Sequence, residues 1–86
     1  MSNEDFYEEI SESIIELEEE KTMKLAQQAI DEKMEILEVI EKGFGTGIRK
    51  MGDLWDQGEF YLPELMIGGK IVQEAIDLLL PHLESG

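Results

Sequence analysis

Few side chains in this sequence are equipped for chemistry at neutral pH. It has no cysteine, which rules out thiolate zinc sites, iron–sulfur clusters, disulfides and cysteine nucleophiles. His82 is the single histidine, so neither a histidine-rich metal site nor an intrachain Ser/His triad has support. A di-iron bundle would project Glu-x-x-His pairs inward, and the residue three places before His82 is Leu79. There is no Gly-x-Gly-x-x-Gly, phosphate loop or His-Glu-x-x-His. Carboxylates abound, yet each is more economically a surface residue than half of an acid–base pair. No catalytic residue and no metal ligand is assigned, and the chain reads as a non-enzyme.

The distinctive stretch runs from Gly52 to Pro81, with the aromatic pair Phe60-Tyr61 and the dipeptide Gly68-Gly69 inside a helical pattern. Two adjacent helical glycines cost about 2 kcal/mol in propensity. They open a shallow notch flanked by Tyr61, Leu65 and Val72, where a flat, bulky ligand or another backbone could lie. Tight packing inside a bundle accounts for the same glycines, and on physical grounds alone it is slightly the better explanation.

Elements must hold that stretch in place. At 86 residues the chain suits one small domain, which at this size buries only about 60% of its unfolded surface. Hydrophobic residues make up 42% of it, enough for a core. Helical spacing runs throughout and no strand-like alternation stands out. A first helix is predicted over about 3–19, N-capped by Ser2 or Asn3, with Phe6, Ile10, Ile14 and Leu17 on one face. Thr22 is the predicted N-cap of a second helix carrying Leu25, Ala26, Ala29 and Ile30.

A turn is placed at Asp31 to Lys33, where neither glycine nor proline forces one. The third helix is predicted over about 33–54, with Ile36, Leu37, Ile40, Phe44, Ile48, Met51 and Trp55 at three-to-four-residue spacing, most of them core. Gly43 and Gly47 lie four apart on one face, which favours close approach of another helix. Asp56-Gln57-Gly58-Glu59 reads as a turn with Gly58 at positive φ, Pro63 suits the first turn of the last helix, and Pro81 ends it. On that last helix Leu65, Gly68/Gly69, Val72, Ala75/Ile76 and Leu79 trace one face, while Met66, Ile67, Ile71 and Leu78 leave apolar surface elsewhere. The fold class is all-α: a small antiparallel bundle of four or five helices, one domain over 1–86.

The charge limits the partners. With 21 acidic against 7 basic residues the net charge is −14, which opposes binding to nucleic acid or anionic membrane. No apolar run of about 18 residues could span a bilayer and no signal pattern opens the chain, so a cytoplasmic location is expected. The acids concentrate between Glu4 and Glu20, chiefly as a solvated helix face.

From Gly43-Phe44 and Gly47 through Met51-Gly52-Asp53-Leu54-Trp55-Asp56-Gln57-Gly58-Glu59-Phe60-Tyr61-Leu62-Pro63-Glu64-Leu65-Met66 to Leu80-Pro81, the chain resembles the N-terminal helical domain of cobalamin-binding corrinoid proteins. That family includes the corrinoid proteins of methanol, methylamine and methylthiol methyltransferase systems, the matching module of methionine synthase, and some cobalamin-dependent photoreceptor regulators. The likeness spans nearly the whole chain as a helix pattern and is specific from Gly43 to Pro81.

The resemblance implies a cap over the upper axial face of cobalamin, in methyl transfer, working with a corrinoid-dependent methyltransferase. Tyr61 and Leu65 are the implied principal contacts, joined by Leu62, Met66, Gly69 and Val72. Two features depart from the family. A glycine is common there between the second and third helices, where this chain has Asp31-Glu32-Lys33. The family also continues into a Rossmann-like domain whose Asp-x-His-x-x-Gly supplies the lower cobalt ligand, a motif absent from these 86 residues. The chain is thus expected to be a piece of a longer protein or a stand-alone cap, binding cobalamin weakly or not at all without that Rossmann-like domain. Exposed apolar surface could also drive the isolated domain to a homodimer. The alternatives are an acidic module docking a basic protein through Glu4 to Glu20, and the cap of a cobalamin-dependent sensor.

Overall fold

Four helices account for most of residues 3–83, the part of the chain that the computed structural model describes. They are α1 (Asn3–Ile15), α2 (Glu19–Asp31), α3 and α4 (Leu62–Leu79). Helix α3 is continuous over 36–56 but changes pitch inside: Ile36–Glu38 is α-helical, Val39–Phe44 is a π turn, and Gly45–Asp56 is α-helical again. A 3₁₀ turn, Leu80–His82, follows α4 where Pro81 stops it. No strand occurs among the described residues.

Three of the helix ends share one device. After α1, the Leu17 N–H donates to the Ile14 carbonyl (3.0 Å) and the Glu18 N–H to that of Ser13 (2.9 Å). After α2, Lys33 donates to Ile30 (3.0 Å) and Met34 to Ala29 (3.0 Å); after α3, Gly58 donates to Trp55 (3.1 Å) and Glu59 to Leu54 (2.8 Å). Each pair satisfies otherwise orphaned carbonyls and needs one left-handed residue. Those residues are Leu17 (φ 58°), Lys33 (φ 56°) and Gly58 (φ 78°). Glycine adopts this conformation freely, as predicted for Gly58, whereas a residue with a Cβ bears roughly 1–2 kcal/mol of strain.

Several predicted boundaries shift. Helix α1 ends at Ile15, short of Glu19, because Leu17 takes the left-handed position instead of extending the apolar stripe. Asn3 is already helical, and Ser2 lies outside the described residues. Thr22 is not an N-cap: α2 starts at Glu19, and the Thr22 side chain is fully buried. Its hydroxyl donates to the Glu18 carbonyl (2.9 Å) and pairs with Ser13 Oγ (2.7 Å) across the α1–α2 contact. The turn at Asp31 to Lys33 is present, and α3 runs from Ile36 to Asp56.

Consecutive helices, joined by short turns, run antiparallel. The two hairpins then pack with parallel neighbours, α3 beside α1 and α4 beside α2. Along the first seam a Cβ on Gly43 would come 3.0 Å from Ile10 Cδ1, and one on Gly47 would come 2.9 Å from Ile14 Cδ1 and 3.3 Å from the Ser11 Cα. Residue numbers rise together on both helices, and the two glycines allow the close crossing expected of them. Ile10, Ile14, Ala26, Ala29, Val39, Phe44, Ala75 and Leu79 fill the fully enclosed centre. Leu37, Ile48 and Trp55, on the stripe predicted to be mostly core, are exposed, while Met51 on the same stripe is buried.

Candidate functional site

The start of α4 is held by its flanking residues. Gly58 turns the chain, the Phe60 N–H donates to the Leu54 carbonyl (3.1 Å), and the Phe60 ring drops into the core at 8% exposure. The aromatic pair therefore splits, and Tyr61 stands out at 68% exposure. Pro63 occupies the first turn, and Glu64 Oε1 accepts the Tyr61 N–H (2.8 Å), satisfying a donor at the positive end of the helix.

Of the six residues singled out from the sequence, five meet on one apolar face. Leu62 and Met66, one turn apart, are both exposed and point away from the core. Leu65 is half-buried at the edge, packed against the core. A Cβ on Gly69 would find nothing within 4 Å, so this glycine leaves open space between the side chains of neighbouring turns. Val72 departs from the expectation: at 7% exposure it belongs to the core, since its side of α4 faces the bundle and not the notch.

Gly68 and Gly69 thus divide the two explanations of the dipeptide between them. A Cβ on Gly68 would lie 2.5 Å from Met51 Sδ and 3.5 Å from Leu17 Cδ2, so Gly68 permits the α3–α4 crossing. Ile48 and Trp55 flank Met51 on one stripe of α3 and are exposed, which carries apolar surface onto α3 beside that crossing. Helical spacing placed them on the core stripe, and only the packing of α4 shows that the core ends at Met51.

Exposed apolar side chains are not confined to this face, since Leu37, Ile67, Leu80 and Leu83 are exposed as well. A cavity of about 300 Å³ between α1 and α3 is lined by Glu4, Glu8, Ser11, Lys42, Thr46 and Lys50 around Tyr7. Tyr7 donates to Glu38 Oε1 (3.0 Å), and Lys50 Nζ donates to Ser11 Oγ (3.4 Å). Burial, then the bond to Glu38 and its charge, raise the Tyr7 phenol above its ordinary pKa. This cavity mixes both signs of charge and does not suit an apolar ligand. The Glu4 to Glu20 carboxylates are exposed. His82 sits at the far end of α4 beside Ile30, Lys33 and Ile36. Among the described residues no three His, Cys, Asp or Glu side chains converge as metal ligands, and no helix is long and apolar enough to cross a membrane.

Comparison with known proteins bears on the fold and the family. Monomethylamine corrinoid protein 1 of Methanosarcina mazei is 31% identical over 85 residues, covering 99% of this chain and 39% of that protein. Trimethylamine corrinoid protein 2 of the same organism is 30% identical over 73 residues, covering 85% of this chain and 34% of the relative. The solved structure of the Methanosarcina barkeri monomethylamine corrinoid protein superposes with a TM-score of 0.89 at 28% identity, over 96% of this chain and 39% of that one. The chain therefore spans about two fifths of the length of these relatives. The profile of the family described as "B12 binding domain" matches residues 7–80, and with the four-helix fold and these relatives it shows that the chain belongs to that family.

Proposed function

We propose that this domain is the helical cap of a corrinoid methyl carrier, shielding the upper axial face of cobalamin held by a separate Rossmann-like domain. The observation that carries the reading is the open apolar face of Tyr61, Leu62, Leu65 and Met66 around Gly69. Such a face fits a broad, flat macrocycle, because the missing Gly69 side chain leaves a shallow recess rimmed by apolar groups. Bound cobalamin supplies a cobalt centre that accepts and gives up a methyl group.

The chain's own residues act by exclusion. Tyr61, Leu62 and Met66 keep water from that face while the cap is closed. Glu64 holds the Tyr61 backbone in position, and Val72 supports the face from the core side. Ile48 and Trp55 extend the covered area. The cap moves aside for methyl transfer, so its attachment is loose by design. The domain itself is non-catalytic, works in the cytoplasm, and leaves the choice of methyl donor to a corrinoid-dependent methyltransferase. The methylamine corrinoid proteins among its relatives support a role of this class.

The test is photolysis of methylcobalamin with this chain alone, with a Rossmann-like domain of a monomethylamine corrinoid protein, and with both together. Slower photolysis only in the complete mixture, lost in Tyr61→Ala or Leu65→Ala, is the expected result. If no mixture changes the rate, the cap role is wrong and the acidic face of α1 becomes the surface to pursue.

A further inference from the structure

We propose that Met66 is an oxidation site on the cap face: its conversion to the sulfoxide by a hydroperoxide makes the surface polar and releases the cap without unfolding the domain. The inference rests on the cap reading above. Four methionines lie in the described residues, and their surroundings separate them. Met51 is 5% exposed, with its sulfur against Gly68. Met23 and Met34 are half-buried and packed against the core. Met66 is 66% exposed, one turn from Leu62 and three residues before Gly69. It contributes nothing to the buried cluster, so the fold does not depend on its polarity.

The chemistry balances with a hydroperoxide as the named oxidant. The thioether sulfur attacks the peroxide oxygen, the O–O bond breaks, and the leaving oxygen takes up the proton as water or an alcohol. Sulfur loses two electrons and the peroxide gains them. The product places a strong hydrogen-bond acceptor in the middle of an apolar face, where burial against a partner would leave it unpaired. Enzymatic sulfoxide reduction restores the thioether. The same change at Met51 would instead disrupt the α3–α4 crossing, so location decides whether oxidation acts on the surface or on the fold. In the closed cap the partner covers Met66, and only the open state is sensitive.

The experiment treats the 86-residue chain with hydrogen peroxide and follows each methionine by peptide mass spectrometry. Met66 sulfoxide is expected to form at least about ten-fold faster than Met51 sulfoxide, with the circular dichroism spectrum and melting midpoint retained. The oxidised chain then loses its slowing of methylcobalamin photolysis in the complete mixture, and sulfoxide reduction restores it. In Met66→Leu, peroxide treatment leaves the photolysis rate equal to that of the untreated Met66→Leu chain. Oxidation of Met23 or Met34 as fast as Met66, or undiminished shielding by the Met66 sulfoxide form, overturns the proposal while the cap reading stands. A reduced chain that never shields overturns the cap reading, and the switch with it.

Discussion

Gly68 and Gly69 are neighbours in sequence and opposites in the structure. One lies at the α3–α4 crossing with Met51 Sδ 2.5 Å from where its Cβ would be, and the other opens onto solvent with no atom within 4 Å. A step of one residue turns about 100° around a helix, enough to move from the inner face of α4 to the outer one. The inner face, with the Gly43–Gly47 seam of α3, determines how closely the helices approach. The outer face carries exposed apolar groups that the fold does not need. Stability and surface function are therefore separable at single-residue resolution, and substitutions can test the separation.

The largest effect is expected on the inner side. Gly47→Val pushes a branched side chain against Ile14 and against the Ser11 backbone, which cannot move aside. A loss of about 2–3 kcal/mol is expected in urea denaturation. A midpoint matching the parent's would mean that the α1–α3 seam is looser than described.

The glycine pair supplies the sharper comparison. Gly69→Ala meets open space and gains helix propensity, so the domain is stabilised by up to about 1 kcal/mol. The added methyl also fills the recess, so photolysis in the complete mixture accelerates. Gly68→Ala makes the same propensity gain but must displace the Met51 thioether, so it ends less stable than Gly69→Ala. The melting midpoint of Gly69→Ala should exceed that of Gly68→Ala; equal midpoints would erase the distinction between the faces.

Smaller effects are expected away from α4's crossing. Lys33→Gly relieves the left-handed strain at the α2–α3 turn, worth about 0.5–1 kcal/mol in thermal stability. Leu17→Gly relieves the same strain but gives up the contact beside Gly68, so the two gains should differ. The smallest change is electrostatic. A hydrogen bond with the Glu19 carboxyl, some desolvation and the Glu19 charge raise the Glu74 pKa above its ordinary value. The folded state then holds this proton more tightly than the unfolded chain, so stability falls as pH rises through the carboxylate range. Glu74→Gln removes that loss: its melting midpoint should exceed the parent's slightly at pH 7 and coincide with it below the carboxylate range.

Much of this architecture was legible in the chain. Ile10 with Ile14, Leu25 with Ala26 and Ala29, and Val72 with Ala75 and Leu79 mark helical stripes through their spacing alone, which follows from 3.6 residues per turn. Gly58, Pro63 and Pro81 mark backbone conformations that few other residues favour. The ends of α1 and α2 were less legible, because Leu17 and Lys33 stand where glycine would announce a stop. Their strain is tolerated only because the carbonyls of Ser13, Ile14, Ala29 and Ile30 gain partners.

Spacing establishes that an apolar stripe exists, and it cannot say which neighbour will cover it. The helix pattern, the turns after α3 and before α4, the net acidity and the family likeness follow from local residue preferences and required no partner. Assembly decided the rest. Helix α4 is apolar around much of its circumference, so either face could have turned inward; its contact with α2 and the Met51 crossing buried Val72 and left Leu62 and Met66 outside. The extent of that crossing left Ile48 and Trp55 exposed on either side of buried Met51, and pairing with Ser13 drew the Thr22 hydroxyl in. Each outcome depends on contacts between residues distant in sequence, where steric fit and the satisfaction of buried polar groups outweigh local propensity.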